Sequence, residues 1–224
     1  MLNDNRIRIV TGSYGTGKTE FSVNYALKLA AAGRKTALVD LDVINLYFRS
    51  REKQAELTAA GIHVISSSIN GIGADLPAIA AAVVTPLQDK TWQVVLDVGG
   101  DAMGARTLKR YREYFQTGDY DMFFVVNANR AETATPEKAL EQMERIQQMI
   151  QVPVTALVNN THLVKQTTEE EVLKGQIVCR NLSDMTGVPI RYVSLMEHLV
   201  SRMPGDLEGA VFPMKLMMRE AWMS

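Results

Sequence analysis

Eight residues near the N-terminus have the types and the spacing of a phosphate-binding loop. They fit the pattern G-x-x-x-x-G-K-[ST] at every fixed position and read Gly12-Ser13-Tyr14-Gly15-Thr16-Gly17-Lys18-Thr19. Such a loop wraps its backbone N–H groups around phosphate oxygens at the start of a helix. Lys18 would supply the positive charge, and Thr19 a hydroxyl ligand for Mg²⁺. The sequence therefore predicts a site for the phosphates of a nucleotide.

Polar side chains also follow other apolar segments of the chain. Asp40 and Asp42 end one such segment, and Asp97 ends another. Asp97 and Gly100 form a D-x-x-G arrangement, in which the aspartate holds Mg²⁺ through water and the glycine N–H contacts the terminal phosphate. Two later segments end in asparagines, which are Asn127, Asn129, Asn159 and Asn160.

Short apolar segments alternate with longer helical ones along the chain. We predict strands over 7–10, 34–39, 62–65, 92–96, 121–126, 152–158 and 190–193, and helices over 20–32, 52–60, 76–88, 107–115, 136–150, 169–186 and 197–203. Strands rich in Val, Leu and Ile are buried on both faces, which indicates an α/β fold with three layers and a doubly wound, mostly parallel sheet. The carboxyl ends of such strands open on one crevice. The phosphate loop, the aspartates and the asparagines would share it.

The composition is that of an ordinary globular protein. The chain has 224 residues, of which 46% are hydrophobic and 22% charged, and a formal net charge of -1. This size fits a single nucleotide-binding domain over residues 1–224, with 204–224 as a C-terminal tail. The charge gives no strong nucleic-acid signal. No apolar run is long enough to span a bilayer and residues 1–8 do not resemble a signal peptide, so we expect a cytoplasmic protein.

The thiol and imidazole groups form no recognisable metal or redox motif. Cys179 is the single cysteine, which excludes an intrachain disulfide and a Cys-x-x-Cys site within one chain. Its helical surroundings favour a position in the core. His63, His162 and His198 are isolated from one another and from carboxylates at ligand spacing. We interpret them as structural or surface residues.

The order of these motifs resembles the ParA/MinD family within the SIMIBI class of P-loop nucleotidases. After the phosphate loop come strands that end in V-D-L-D, D-V-G-G and V-N-N, over roughly residues 6–195. The resemblance implies ATP and Mg²⁺ as ligands and a nucleotide-dependent homodimer. It places Asp40 and Asp42 near the metal and the attacking water, and Asp97 as the second metal ligand after Thr19. It also implies that Asn159 or Asn160 reads the adenine, which an amide can pair with.

Two departures from the family pattern bear on the mechanism. The family's loop is K-G-G-x-G-K-[ST], whose first lysine reaches the partner subunit's phosphates, and this chain has Ser13 there. Candidates for a replacement cation are Arg49, Arg51, Arg106 and Arg130, each just after a motif. The chain also lacks N-K-x-D, which favours ATP over GTP. The iron–sulfur branch of the family uses paired cysteines, so no iron–sulfur cluster is expected here.

The leading hypothesis is a switch ATPase that hydrolyses ATP slowly and controls a protein partner or its own association. Lys18 would neutralise charge on the transferred phosphoryl group, while Asp42, or else Asp40, would position water. Two alternatives stay open: a small-molecule kinase or ligase comparable to dethiobiotin synthetase, and a nucleotide-dependent scaffold that does not hydrolyse. The Met-rich residues 212–223 would dock on the domain or on a partner, or contact a membrane as an amphipathic helix.

Overall fold

The computed structural model describes residues 3–42, 54–66, 76–115 and 119–218, with the backbone alone for 76–80. Within these residues, eight strands form one sheet in which all neighbours are parallel. They are β1 (Ile7–Thr11), β2 (Thr36–Asp40), β3 (Ile62–Ser66), β4 (Gln93–Asp97), β5 (Tyr120–Val126), β6 (Ala156–Asn159), β7 (Ile190–Met196) and β8 (Ala210–Met214). The order across the sheet is β3-β2-β4-β1-β5-β6-β7-β8.

Helices connect these strands. They are α1 (Lys18–Ala31), α2 (Gln54–Ala59), α3 (Leu76–Gln88), α4 (Ala102–Lys109), α5 (Pro136–Ile150) and α6 (Glu169–Thr186). Short 3-10 turns add Arg112–Phe115, Ala131–Thr133, Val164–Gln166 and Glu197–Arg202. Among the described residues, no helix is both long and apolar enough to cross a membrane.

The predicted α/β fold with a parallel sheet is confirmed, although several boundaries move. The helix predicted from residue 107 begins at Ala102, because the Oδ1 atom of Asp101 accepts the N–H groups of Met103 and Gly104, both at 2.8 Å, and caps it. Strand β6 begins four residues later than predicted, at Ala156. Strand β7 continues three residues further than predicted, to Met196.

Strand β8 was not predicted at all. It lies within residues 204–224, the predicted C-terminal tail, and it pairs with β7 from Ala210 opposite Tyr192 to Met214 opposite Met196. Strand β8 contains Pro213, which a strand at the edge of a sheet tolerates because one of its sides is unpaired. Part of the predicted tail is therefore the last strand of the sheet, while residues 219–224 lie outside the described part of the chain.

Both faces of the sheet are covered, because alternate residues of each strand point to opposite sides. On β1, Ile7 and Ile9 pack into a cluster with residues of α3 to α6. Val10 faces the other side, where Phe21 of α1 packs. Cys179 of α6 is fully buried in the first cluster, and burial raises the pKa of its thiol. The predicted core position of this cysteine is confirmed.

The close packing of α6 on β6 makes a prediction at Gly175. A Cβ there would lie 2.0 Å from Oγ1 of Thr161 and 2.3 Å from Oδ1 of Asn159. We expect Gly175→Ala to lower the free energy of unfolding by about 1–3 kcal/mol, because the overlap outweighs the better helix propensity of alanine. Urea unfolding measures this loss. Gly205→Ala is the control, since a Cβ there meets nothing within 4 Å, and an equal effect of both substitutions would contradict the prediction.

Candidate functional site

The loop between β1 and α1 has the backbone shape that phosphate binding requires. Gly12, Gly15 and Gly17 have φ angles of 146°, 74° and 85°, which side chains rarely allow. A Cβ on Gly12 would lie 2.6 Å from the carbonyl oxygen of Val125, and one on Gly17 would lie 2.3 Å from Nδ2 of Asn160. The loop leads directly into the first turn of α1, so the N–H groups of that turn face the site.

Lys18 is buried at the start of α1, with carboxylates close to its ammonium group. Its Nζ atom donates to the carbonyl oxygen of Ser13 at 3.0 Å. Burial lowers the pKa of Lys18, while the charges of Asp97, Asp42 and Asp101 oppose that shift. A buried ammonium is stabilised by anionic hydrogen-bond acceptors. The position of Lys18 therefore suits phosphate oxygens.

The end of β4 touches the phosphate loop. In the parallel register, Val10 of β1 lies opposite Asp97 of β4, and the N–H of Val98 donates to the carbonyl oxygen of Val10 at 3.0 Å. A Cβ on Gly100 would lie 2.1 Å from the carbonyl oxygen of Gly12, which no side chain tolerates. The D-x-x-G segment therefore lies against the loop, where a role of the Gly100 N–H at a terminal phosphate remains a prediction.

Asp97 is the most deeply buried carboxylate of the site, with 1% of its surface exposed. Its Oδ1 atom accepts a hydrogen bond from Oγ of Ser22 at 3.3 Å, and its carboxylate is also hydrogen-bonded to the side chain of Thr19. Its Oδ2 atom is buried and has no hydrogen-bond partner within the described part of the chain. Burial, together with the charges of Asp40 and Asp42, raises the pKa of Asp97 to about 7.

These oxygen atoms fit a Mg²⁺ ion that is held jointly with phosphates. The described residues contain no group of three or more His, Cys, Asp or Glu side chains placed to hold a metal by themselves. Mg²⁺ is usually bound by one or two carboxylates together with substrate phosphates and water. The orphaned Oδ2 of Asp97 and the adjacent hydroxyl of Thr19 are donors of that kind. The metal-binding roles of Thr19, Asp97 and Asp42 remain predictions that this geometry fits.

Asp40 and Asp42 follow the same strand but face different surroundings. The Oδ1 atom of Asp40 accepts the N–H of Asp42 at 3.1 Å, and its Oδ2 atom accepts from Oγ of Ser66 at 3.4 Å. Asp42 lies beside Gly99 and, with Lys18, lines a cavity on this side of the loop. Asp42 is therefore better placed than Asp40 to orient a water molecule near Lys18.

Two cavities flank the phosphate loop, and Tyr14 and Lys18 line both of them. The large cavity has a volume of about 330 Å³, and the small cavity, which Asp42 lines, has a volume of about 260 Å³. The large cavity is lined by Tyr14, Gly15, Gly17, Lys18, Thr19, Glu20, Arg130, Asn160, Thr161, His162, Val164, Thr167, Ser194, Leu195, Met196, Met214, Leu216 and Met218. Its residues come from the loop and the start of α1, the segments that follow β5 and β6, the end of β7, and the end of β8 with the chain after it.

The two asparagines at the end of β6 have different positions. Asn160 lines the large cavity, where its Nδ2 donates to the carbonyl oxygen of Thr16 at 2.7 Å and its Oδ1 accepts from Oγ of Ser194 at 2.8 Å. Asn159 is fully buried, and its Nδ2 donates to the carbonyl oxygen of Val172 in α6 at 3.0 Å. Asn159 therefore joins β6 to α6 and lines neither cavity, so the predicted contact with the base is left to Asn160.

The asparagines after β5 also lie outside both cavity walls. Oδ1 of Asn127 accepts the N–H groups of Asn129 and His162, at 3.0 and 3.4 Å. Asn129 is bonded to α6, where its amide donates to Glu171 at 2.5 Å and accepts from Nζ of Lys174 at 2.8 Å. The carboxyl ends of the strands converge as predicted, but these two side chains shape the connecting loops.

Among the described candidates for a replacement cation, Arg130 lies on the phosphate loop. Its Nε atom donates to the carbonyl oxygen of Gly15 at 2.9 Å. Arg106 is exposed on α4 and lines neither cavity. Arg49 and Arg51 lie outside the described residues. A positive charge is therefore present on the loop, although it belongs to the same chain and contacts the loop from the side of the large cavity.

Part of the wall of the large cavity consists of residues that the sequence motifs do not indicate. His162 was interpreted as a structural or surface residue, but it lines the cavity, and its Nδ1 accepts the N–H of Val164 at 3.3 Å. Its position two residues after the asparagine pair of β6 was the available signal. Met214 and Met218 also line the cavity. Their role depends on the pairing of β8 with β7, which no local pattern indicated.

Residues 7–173 of the chain match the family model CbiA, described as the CobQ/CobB/MinD/ParA nucleotide binding domain. This match covers the phosphate loop, all three aspartates and both asparagines of β6. A comparison with the sequences of curated proteins finds no match.

Solved structures with a similar fold include three FtsY proteins. The cell division protein ftsY from Thermotoga maritima has a TM-score of 0.59 and 21% identity, over 85% of this chain and 62% of that one. FtsY from Mycoplasma mycoides has a TM-score of 0.58 and 15% identity, over 85% of this chain and 60% of that one. The signal recognition particle receptor FtsY from Elizabethkingia anophelis, in complex with GDP, has a TM-score of 0.55 and 19% identity, over 87% of this chain and 58% of that one. This chain spans about three fifths of each, and the likeness shows the fold.

The buried carboxylate predicts a pH-dependent stability in the absence of nucleotide and metal. The pKa of Asp97 is about 7 in the fold and about 4 in an unfolded chain, so between these values the unfolded state binds fewer protons and the free energy of unfolding falls as pH rises. In the wild-type protein the free energy of unfolding should fall by about 4 kcal/mol at most. We expect this fall to be absent in Asp97→Asn, because its side chain cannot ionise. Urea unfolding at about pH 5 and pH 8 measures it. The exposed Asp206→Asn is the control, and parallel pH profiles of Asp97→Asn and wild type would contradict the prediction.

Proposed function

The chain belongs to the CobQ/CobB/MinD/ParA family of nucleotide-binding domains, and we propose that it is a switch ATPase that binds ATP with Mg²⁺. The observation that carries the proposal is the placement of Asp97. This carboxylate is buried beside Thr19 and Lys18, and its Oδ2 atom has no hydrogen-bond partner among the described residues. Burying a carboxylate costs free energy unless a cation or donors balance it. A metal ion held between Asp97, Thr19 and phosphates would supply that balance.

In the proposed reaction, the residues of this chain hold the phosphates and orient water. The loop N–H groups and Lys18 would balance the charge on the transferred phosphoryl group. Asp42, whose N–H is held by Asp40, would orient the attacking water from the small cavity. Mg²⁺, when bound, supplies further positive charge at the phosphates. We propose slow turnover, because each nucleotide state of a switch must persist long enough to be recognised.

The lining of the large cavity supports ATP as the nucleotide. A guanine presents N–H donors that proteins usually pair with a carboxylate, as the absent N-K-x-D motif would do. Among the described residues of the large cavity, Glu20 is the only carboxylate, and it accepts the backbone N–H groups of Met217 and Met218. The Asn160 amide has a second N–H and a second lone pair besides those used with Thr16 and Ser194, and such a donor and acceptor suit adenine. One similar structure was solved with GDP, so GTP is the competitor to test.

The proposed output is a nucleotide-dependent homodimer or a contact with another protein in the cytoplasm. Tyr14 projects from the phosphate loop with 74% of its surface exposed, and it is available for such a contact. Ser13 stands where the family has its crossing lysine. Arg130 already places a positive charge on the loop of its own chain. The two subunits of the dimer would therefore meet through the surface of the phosphate loop, without a lysine at position 13 that reaches the partner subunit's phosphates.

The small cavity favours a second candidate, a small-molecule kinase or ligase. It lies beside Lys18 and Asp42 and is also lined by Glu132, Gln142 and Arg145. These side chains could bind the polar groups of an acceptor next to the terminal phosphate. In that case Asp42 would act on the acceptor and not on water. A scaffold that binds ATP without hydrolysis is the third candidate, supported by the serine at position 13.

Substitution of the loop lysine tests nucleotide binding. We expect Lys18→Ala to weaken Mg·ATP binding by about 10- to 100-fold, the value of a charge-assisted hydrogen bond. Isothermal titration calorimetry with ATP and with GTP measures the affinities and the preference between the two nucleotides. Lys90→Ala is the matched control, because Lys90 is an exposed lysine at the opposite end of β4. Unchanged ATP affinity in Lys18→Ala would mean that the phosphates bind elsewhere.

Turnover at several protein concentrations tests the switch. We expect the rate of ATP hydrolysis per chain to rise with protein concentration if a homodimer completes the site, and Asp42→Ala to lower it by about 100-fold through loss of water orientation. Phosphate release measures the rate, and light scattering measures the association. A wild-type rate in Asp42→Ala would contradict the assigned role of Asp42. Tight ATP binding without turnover at any concentration would favour the scaffold or a kinase lacking its acceptor.

A further inference from the structure

The chain after β8 returns to α1, the helix that begins with Lys18. Residues 215–218, here called the C-terminal strap, run alongside the first two turns of that helix, where Glu20 and Asn24 point toward them. The contact joins two parts of the sequence that are separated by about 190 residues. Nothing in the phosphate-binding motif requires this contact.

Four hydrogen bonds hold the C-terminal strap to α1. The Asn24 side chain binds Lys215 in both directions, since its Oδ1 accepts the N–H and its Nδ2 donates to the carbonyl oxygen, both at 2.9 Å. The two carboxylate oxygens of Glu20 accept the N–H groups of Met217 and Met218, at 2.5 and 3.3 Å. All four bonds use the backbone of the strap. These four hydrogen bonds, here called the clamp, therefore fix the main chain of the strap independently of its side chains.

The side chains of the same segment form one wall of the large cavity. Leu216 and Met218 of the strap line it, together with Met214 at the end of β8 and Met196 at the end of β7. Met218 is 5% exposed and packs in the core cluster that also contains Phe21 of α1. Polar groups of the phosphate loop and the side chains of Asn160, Thr161 and Ser194 also line the cavity. A flat aromatic group would fit against the methionines, because thioethers pack well against ring faces and edges.

We propose that the C-terminal strap is the element that binds the nucleoside half of the nucleotide, and that Asn24 and Glu20 are positioning residues for it. This inference rests on the proposed nucleotide binding at the phosphate loop. The loop contacts phosphates at the start of α1, whereas the strap contacts what lies beyond them in the large cavity. Disturbing the clamp should therefore weaken the binding of ATP but not the binding of a polyphosphate that has no nucleoside.

Asn24 is the better of the two clamp residues to change. Glu20 lies in the first turn of α1, so removing its charge would also alter the field at the phosphates. Asn24 is uncharged, is one turn further from the loop and is 5% exposed. Asn24→Leu keeps the size of the side chain and favours the helix. It removes both hydrogen bonds to Lys215 and also those that Nδ2 donates to the carbonyl oxygen and the carboxylate of Glu20, at 2.9 and 3.4 Å.

The experiment compares ATP with inorganic tripolyphosphate, each with Mg²⁺, by isothermal titration calorimetry. We expect Asn24→Leu to weaken ATP binding by about 10-fold, the value of two ordinary hydrogen bonds, and to leave tripolyphosphate binding within about twofold. Met218→Ala is the substitute variant if Asn24→Leu does not fold. It shortens the cavity wall and leaves the four hydrogen bonds to α1 intact, so it should also weaken ATP binding and spare tripolyphosphate binding. Gln148→Leu is the matched control, because it also replaces a helical side-chain amide with leucine, but at an exposed position of α5 that lines neither cavity.

Equal losses for ATP and tripolyphosphate, or no loss for either, would overturn the role of the strap. If the wild-type protein binds neither ligand, the proposed nucleotide site itself fails, and the inference fails with it. Hydrogen exchange of the wild-type protein gives a second readout. The N–H groups of Lys215, Met217 and Met218 should exchange more slowly with ATP bound than with tripolyphosphate bound, and equal exchange in both complexes would contradict the proposal.

Discussion

The contact between the backbones of Gly12 and Gly100 sets the distance between the phosphate loop and the end of β4. A side chain at Gly100 would overlap the carbonyl oxygen of Gly12, so the two segments can pack at this distance only without one. This packing, with the parallel register of β1 and β4, puts Asp97 next to the first turns of α1. Thr19 and Ser22 then reach its carboxylate. The geometry that we propose for Mg²⁺ binding thus follows from a backbone contact.

The electrostatics of the site follow from this packing. Asp42 and Asp97 are buried near the ammonium of Lys18, and the buried Asp40 lies near Asp97. Burial disfavours every one of these charges, which is why the pKa of Lys18 is lowered and that of Asp97 is raised. A site with more buried carboxylates than cations gains stability when a cation enters, and phosphates alone would add to the excess of negative charge. Nucleotide and Mg²⁺ are therefore expected to bind together.

The sequence predicted the parts of this site that depend on local chemistry. The glycines and Lys18 carry their role in the spacing of one loop, and Asp97 follows an apolar strand whose burial and direction could be inferred from composition. Local chemistry leaves open what long-range pairing decides. Asn159 and Asn160 are adjacent and alike in the sequence, yet only the packing of α6 determines that Asn159 is enclosed. Strand β8 was missed because its partner, β7, and not its own residues, makes it a strand.

Helix α1 connects these regions, because its successive residues point in different directions. Thr19 and Ser22 face Asp97, while Glu20 and Asn24 face the C-terminal strap. Phe21 packs against the rings of Tyr25, Phe123 and Phe212 on one face of the sheet. One rigid helix therefore fixes the phosphate site relative to the wall of the large cavity. The two halves of a nucleotide would be bound by elements from opposite ends of the sequence, and α1 touches both.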